Sequence, residues 1–142
     1  MKILLINPPG WQKGSTNLGL SYLAGNLLAN EYEVKILDVN ATNESPDEVV
    51  EKALQYAPAV IGFSIKTATA KAAFLISKII KKSYGSAIHV IGGPHVTLAY
   101  REVLQENPEI EYAFLGESDF SFLDFVNRLA SRQAPHEVAG IA

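Results

Sequence analysis

The chain has 142 residues, of which 48% are apolar, with 12 basic and 15 acidic side chains and a formal net charge of −3. This length and composition predict one domain built around one hydrophobic core. Basic and aromatic residues do not interleave, which argues against a nucleic-acid partner. The absence of cysteine excludes disulfides, thiolate-held zinc, iron–sulfur ligation and cysteine nucleophiles in these residues.

Membrane and export signals are also missing from the sequence. No segment approaches the roughly 18 apolar residues that a membrane-spanning helix needs. The apolar run at the N-terminus is short and meets Pro8 at once, which is unlike a signal peptide. We therefore expect a soluble, cytoplasmic protein without a membrane partner.

Five short apolar segments, rich in β-branched and aromatic residues, predict five β-strands. They are Lys2–Ile6, Glu33–Asp38, Ala59–Ser64, Ala87–Ile91 and Glu111–Leu115. A segment with helical spacing follows each strand: Asn17–Asn30, the segment that opens at Ser45, Thr67–Ser83, Tyr100–Glu106 and the segment that follows residues 116–119. The second of these begins with a serine, a proline and then Glu48, which is the pattern of a capping box.

The alternation of strands and helices predicts an α/β fold: a five-stranded, parallel, doubly wound sheet with helices on both faces. Five strands favour the flavodoxin-like strand order 2-1-3-4-5. We assign residues 1–134 to this domain. Residues 135–142 do not complete another strand–helix unit, so we interpret them as a linker toward a further domain.

Ligands of such sheets bind beyond the carboxyl ends of the strands, where the strand order reverses. The segments of interest are therefore residues 7–17, 64–69, 92–97 and 116–119. No GxGxxG fingerprint or GxxxxGK[ST] phosphate loop follows the first strand. Asn7 and Ser64 stand where a phospho-receiver domain would need acidic residues, which excludes that chemistry.

The residues that remain describe a wide and mostly neutral site. Ser64, Thr67 and Thr69 offer hydroxyl groups, while Gly92 and Gly93 offer bare backbone. The alternative for Thr67 is a helix cap, and the alternative for the glycine pair is a tight turn.

Two further residues have ordinary explanations as well. The ordinary interpretation of His95 is a histidine in a loop, and that of Glu117 is a carboxylate near a helix N-terminus. No nucleophile, base and orienting group can be assembled from these segments, and the three histidines lack metal-ligand spacing. The sequence therefore predicts a domain that holds a large ligand and does not cleave it.

Six segments, taken in order, resemble the N-terminal cobalamin (B12)-binding domain of B12-dependent radical SAM enzymes. They are ILLINPP, LGLSYLAGNLL, EVKILDVN, VIGFSIKT, HVIGGPHVT and YAFLGESDFSFLDFV. Each segment alone is weak evidence, but the ordered set is specific and covers nearly the whole chain.

The resemblance implies that cobalamin is the cofactor, with its corrin ring over the carboxyl ends of the strands and its nucleotide tail in the sheet edge. Ser64, Thr67, Gly92 and Gly93 would line the tail pocket, while the loops after the first and last strands would frame the corrin. The cofactor-binding residues that it implies are Asn7, Pro8, Pro9, Ser64, Thr67, Gly92, Gly93, Pro94, His95, Gly116 and Glu117.

Two departures from related proteins matter. The loop after the first strand lacks the histidine of the DxHxxG motif, by which carriers such as methionine synthase ligate cobalt; this is similar to the radical SAM branch. The chain also lacks the CxxxCxxC motif of the radical SAM domain. The resemblance therefore implies a cobalamin-binding module without its own catalytic centre. S-adenosylmethionine and the [4Fe-4S] cluster would belong to a radical SAM domain of the same polypeptide, in a methyltransferase- or cyclase-like enzyme.

Two alternatives stay open. The first is a ligand-free docking domain of the same fold. The second is an FMN-binding flavodoxin-like domain, with residues 14–16 facing a phosphate and Trp11 stacked on the flavin. The small residues Ser64, Gly92 and Gly93 favour cofactor binding, and we expect Gly93→Leu to abolish corrinoid uptake while leaving the fold largely intact.

Overall fold

The computed structural model describes residues 1–10 and 17–142. Its five strands form a parallel sheet in the order β2-β1-β3-β4-β5, which confirms the predicted fold class and strand order. The strands are β1 (Lys2–Asn7), β2 (Glu33–Asp38), β3 (Val60–Ser64), β4 (Ile88–Gly92) and β5 (Tyr112–Ala113). The helices are α1 (Leu18–Ala29), α2 (Val39–Thr42), α3 (Pro46–Tyr56), α4 (Ala70–Ser83), α5 (Pro94–Glu106) and α6 (Asp119–Ala130). None of these helices is both long enough and apolar enough to cross a bilayer.

The inner strands β1, β3 and β4 are largely buried on both faces of the sheet, since successive side chains point to opposite sides and helices cover each side. One face packs against α3, α4 and α5 through a core that includes Leu4, Ile61 and Ile76. The other face packs against α1 and α6 through a core that includes Leu5 and Phe125. Two hydrophobic layers therefore sandwich the sheet, and α1 and α6 lie on the same side of it.

Local signals in the sequence explain where two of the helices begin. Asn17 caps α1, since its Oδ1 accepts a hydrogen bond from the backbone N–H of Leu20 at 3.2 Å. The capping box at α3 is confirmed: the Glu48 N–H donates to Ser45 Oγ at 3.2 Å, and the Ser45 N–H donates to Glu48 Oε2 at 2.7 Å. Both caps satisfy backbone donors that the helix itself leaves unpaired.

The fourth long helix differs from its predicted bounds. It begins at Pro94 and not at Tyr100, and it has non-helical dihedral angles at Ala99. The predicted segment is the half that follows this kink. The sequence Gly-Gly-Pro-His suggested a loop, but a proline is well suited to the first position of a helix because its fixed φ is helical and its missing N–H costs nothing there.

Two smaller differences concern the third helix and the last strand. Residues Thr67–Thr69 form a 3-10 turn, so α4 begins at Ala70. The strand predicted at Glu111–Leu115 contains only Tyr112–Ala113.

The segment 135–142 packs against β5. The Leu115 N–H donates to the carbonyl of Gly140 at 2.9 Å, and Ala113 and Ala142 exchange two backbone hydrogen bonds of 2.8 and 2.9 Å. Val138 is buried in the α1–α6 side of the core. This antiparallel contact covers backbone groups that β5 would otherwise expose. The boundary at residue 134 and the continuation into a second domain stay predictions.

Gly93 occupies a backbone conformation that other residues rarely adopt. Its φ is 112°, and a Cβ atom placed on it would lie 2.5 Å from the carbonyl oxygen of Ile65. The expectation that Gly93→Leu leaves the fold intact is therefore wrong, because the clash is with backbone that cannot give way. Gly93 joins β4 to α5, and glycine is needed at this position for the backbone conformation of the connection.

His89 is fully buried between β4 and α4. Its Nδ1 lies 2.8 Å from Ser77 Oγ, its ring packs on Phe63, and its Nε2 has no hydrogen-bond partner among the described residues. Burial, followed by the nearby charge of Lys81, lowers the pKa of His89 from 6.5 to about 4. The imidazole is thus neutral in the folded protein at neutral pH.

We predict that His89 makes the fold sensitive to acid. As the pH falls below 6.5, His89 becomes protonated in the unfolded chain, whereas in the folded chain it stays neutral until about pH 4. The free energy of unfolding therefore decreases between these two pH values. Between pH 7 and pH 5 the loss due to this residue should be about 2 kcal/mol. Urea unfolding of the wild type and of His89→Gln at both pH values measures it, and equal losses in the two proteins would contradict the assignment.

We also predict that Gly93→Ala destabilises the fold by at least about 2 kcal/mol, because it adds backbone strain and a steric clash. The matched control is Gly25→Ala in α1, where a Cβ would meet nothing within 4 Å. That change should be neutral or stabilising by up to about 1 kcal/mol, as expected for alanine in a helix. Chemical unfolding followed by circular dichroism compares them, and similar midpoints for the two variants would refute the strain.

Candidate functional site

A groove of about 460 Å³ opens between α1 and α6 against their shared face of the sheet. Its floor is formed by Leu5, Gly62, Val90 and Gly92, which come from β1, β3 and β4. Its apolar walls are Leu20 and Leu23 of α1, Phe122 of α6, and Phe114. The volume lies within the range of about 300 to 1,000 Å³ that small-molecule sites occupy.

The two glycines in the floor of the groove differ in their surroundings. A Cβ atom on Gly62 would lie 3.0 Å from Leu5 Cδ2 and 3.6 Å from Val90 Cγ2, so this position is closely packed. A Cβ atom on Gly92 would meet only Phe114 Cβ, at an ordinary 3.7 Å. Packing therefore does not require a glycine at position 92, and the missing side chain there mainly enlarges the groove.

Gly62 lines the groove but was not among the predicted site residues. The available signal was a glycine inside the apolar strand segment VIGFS. Glycine weakens a strand interior and often marks a place where a ligand or another backbone comes close.

The rim of the groove is polar. Ser64 ends β3 and Lys66 lies two residues beyond it, while Glu117 and Ser118 precede α6 and Asp119 is its first residue. Glu117 is exposed and precedes the helix, so Asp119 is the acidic residue of the first turn of α6. The site thus has an apolar interior and an edge that carries both signs of charge.

The structure brings together six of the eleven predicted cofactor-binding residues. Those that line the groove are Ser64, Gly92, Gly93, Pro94, Gly116 and Glu117. The other five, which lie outside the lining, are Asn7, Pro8, Pro9, Thr67 and His95. Trp11 and residues 14–16, on which the flavin alternative rests, lie outside the described residues.

Thr67 and His95 pair with each other beside the groove. Thr67 Oγ1 lies 3.2 Å from His95 Nδ1. Thr67 does not cap a helix with its side chain, and His95 lies in the first turn of α5 and not in a loop. This contact ties the turn after β3 to the helix after β4.

Asn7 is almost fully buried at the end of β1. Its Nδ2 donates to Asp38 Oδ1 at 2.8 Å, and its Oδ1 accepts from Asn17 Nδ2 at 3.2 Å. Asn17, which lines the groove and was not predicted as a site residue, also donates to Ser64 Oγ at 3.0 Å. The loop after β1 is held nearby, where the Gly10 N–H donates to Asn40 Oδ1 at 3.0 Å.

Relatives of known name are longer than this chain. An uncharacterized methyltransferase, PH0819 of Pyrococcus horikoshii, is 30% identical over 149 residues, covering 100% of this chain and 32% of that protein. The anaerobic magnesium-protoporphyrin IX monomethyl ester cyclase of Synechocystis is 26% identical over 151 residues, covering 100% of this chain and 30% of that protein. The chain therefore spans about a third of the length of these relatives.

Solved structures share the fold at low sequence identity. The chain matches the methyltransferase TsrM from Kitasatospora setae, solved with cobalamin and a [4Fe-4S] cluster, with a TM-score of 0.86 at 16% identity. The match covers 99% of this chain and 28% of the TsrM chain. The enzyme OxsB with aqua-cobalamin bound matches with a TM-score of 0.85 at 20% identity, over 99% of this chain and 20% of that one.

A family model described as the B12 binding domain matches residues 14–126 of the chain. This range contains β2, β3, β4 and β5 and the groove residues that α1 and α6 contribute, and the match confirms the resemblance found in the sequence. The chain belongs to the family of B12-binding domains.

Proposed function

We propose that the groove between α1 and α6 receives the nucleotide tail of cobalamin and that the corrin ring lies across the carboxyl ends of the strands. The observation that carries this proposal is the open floor of the groove at Gly92, the last residue of β4. A flat aromatic base needs a slot between apolar walls, and a side chain on Gly92 would fill it.

The residues of the groove fit the chemistry of the tail. Leu20, Leu23 and Phe122 offer apolar contact to the two faces of a dimethylbenzimidazole base. Ser64 offers a hydroxyl group inside the groove, and Lys66 offers a cation at its rim that suits the tail's phosphodiester.

The loops that surround the groove would frame the corrin. Asn7 ends β1 and is followed by Pro8 and Pro9, while Gly116 and Glu117 follow β5. Gly116 has no side chain, and a Cβ atom placed on it would meet nothing within 4 Å, so this point leaves room for a broad ring. Bound cobalamin would supply the cobalt chemistry, while these residues bind and orient it.

We further propose that residues 1–134 act together with a radical SAM domain of the same polypeptide, in a methyltransferase- or cyclase-like enzyme. The support is that the matched relatives, named as methyltransferases and cyclases, are about three times longer than this chain. The chain has no cysteine to hold a cluster, so S-adenosylmethionine and its cluster would be bound elsewhere in the polypeptide.

Gly92→Leu should fill the groove and weaken cobalamin binding by at least about tenfold, which corresponds to 1.4 kcal/mol. The fold should be retained, because the position accepts a Cβ atom. Titration of the protein with hydroxocobalamin, followed by its visible spectrum and by gel filtration, measures the affinity. The matched control is Gly25→Leu, which adds the same side chain outside the groove.

Cobinamide, which lacks the nucleotide tail, separates the tail site from the corrin site. Its affinity should be the same for wild type, Gly92→Leu and Gly25→Leu. If Gly92→Leu binds cobalamin as well as Gly25→Leu does, the tail lies elsewhere.

A further inference from the structure

We infer that the outer face of α1 is the contact surface between two copies of this chain, which pack antiparallel about a two-fold axis. This outer face consists of Leu18, Tyr22, Gly25 and Ala29, all of which are exposed. The inference goes beyond the proposed function, since self-association is measured without any cofactor.

The composition of α1 is unusual for a helix on the surface of a domain. No charged side chain occurs between Leu18 and Ala29, and Leu18 and Tyr22 are 65% and 67% exposed. Other helices have charged outer faces, with exposed residues such as Glu51 on α3 and Lys78 on α4. A helix that is largely apolar all round is typical of a buried position, so the outer face of α1 has the composition of a covered surface.

The four residues of the outer face have the spacing of a helix–helix contact. They succeed one another at intervals of four, three and four residues. This is the spacing of the contact positions in a coiled coil of two helices. The face therefore suits a second helix that lies along α1.

Gly25 is not required by packing among the described residues. A Cβ atom on it would meet nothing within 4 Å, although the residue lies in the interior of α1. Glycine is unfavourable in a helix interior, and one of its uses is to let another backbone approach closely. A second helix that packs on α1 from outside the chain gives Gly25 such a use.

The order of side-chain sizes on the outer face selects an antiparallel pair. The large residues Leu18 and Tyr22 come first, and the small residues Gly25 and Ala29 follow. When two copies pack antiparallel, Tyr22 of each copy lies over Gly25 of the other, and Leu18 lies over Ala29. A parallel pair would place the two tyrosines against each other and leave a void between the two glycines. The antiparallel contact is also closed by its two-fold axis, so it produces a dimer and not a filament.

Sedimentation equilibrium of the wild-type chain tests the dimer directly. A contact between two helices of 12 residues is small, so we expect a weak and reversible dimer. Between protein concentrations of about 10 μM and about 1 mM, the measured mass should rise from 15.4 kDa toward twice that value. A mass that stays at 15.4 kDa over this range would overturn the inference.

Leu18→Glu should raise the dissociation constant of the dimer by at least about tenfold, because it places a carboxylate in an apolar contact. The fold should be retained, since the first turn of a helix accepts an acidic residue. The matched control is Leu75→Glu, which changes a leucine of α4 that is 51% exposed and should leave the dimer unchanged. Equal weakening by the two variants would contradict a specific contact at α1.

Gly25→Leu should also prevent the dimer, because the added side chain occupies the space that Tyr22 of the other copy needs. Its affinity for cobalamin should equal that of the wild type, since Gly25 does not line the groove. A failure of the dimer and a failure of the cobalamin site are therefore observed separately.

Cysteine cross-linking tests the orientation of the two helices, because the chain has no cysteine of its own. In the antiparallel pair, residue 18 of one copy lies beside residue 29 of the other, whereas the two copies of residue 18 lie about 16 Å apart along the helix axis, too far for a disulfide. A mixture of Leu18→Cys and Ala29→Cys should cross-link under mild oxidation, and neither variant should cross-link alone. Cross-linking of Leu18→Cys alone, without a mixed product, would overturn the antiparallel dimer.

Discussion

The site depends on one steric constraint: a ligand can reach the face of a buried parallel sheet only where the strands lack side chains. Gly92 provides that gap on the face that α1 and α6 cover, and Gly62 lines the floor beside it. The aromatic residues Phe114, Phe122 and Phe125 pack against one another with ring centroids 5.2 to 6.2 Å apart. This cluster supports the α6 side of the groove, so the opening is preformed and need not be created by the ligand.

Two adjacent glycines illustrate how different the reasons for one residue type can be. The backbone requires glycine at position 93, because its φ is 112° and a Cβ atom would clash with the Ile65 carbonyl. At position 92 a Cβ atom would make only an ordinary contact, and the absence of a side chain keeps the groove open. Polar side chains border this space at the same edge of the sheet. Asn17, which caps α1, donates to both Asn7 Oδ1 and Ser64 Oγ and so links the ends of β1 and β3.

Much of the fold could be predicted because parallel strands covered on both faces must be apolar throughout, and caps such as Ser45 mark helix starts. The start of α5 at Pro94 could not be predicted, because Gly-Gly-Pro is equally typical of a loop. The packing of Gly93 against the Ile65 backbone is visible only in the structure. Of the site, the sequence located Ser64 and the glycine pair by their place after strands. Gly62 and Asn17 were missed since their roles depend on packing between α1, α6 and the sheet, which no local pattern encodes.

The most direct test of this account is the structure of the protein crystallised with cobalamin. We expect the dimethylbenzimidazole base to lie between α1 and α6 and away from cobalt, in contact with Gly62 and Gly92. The Ser64 hydroxyl should lie within hydrogen-bond distance of a polar atom of the tail. A base that stays coordinated to cobalt, or a tail that lies outside this groove, would contradict it.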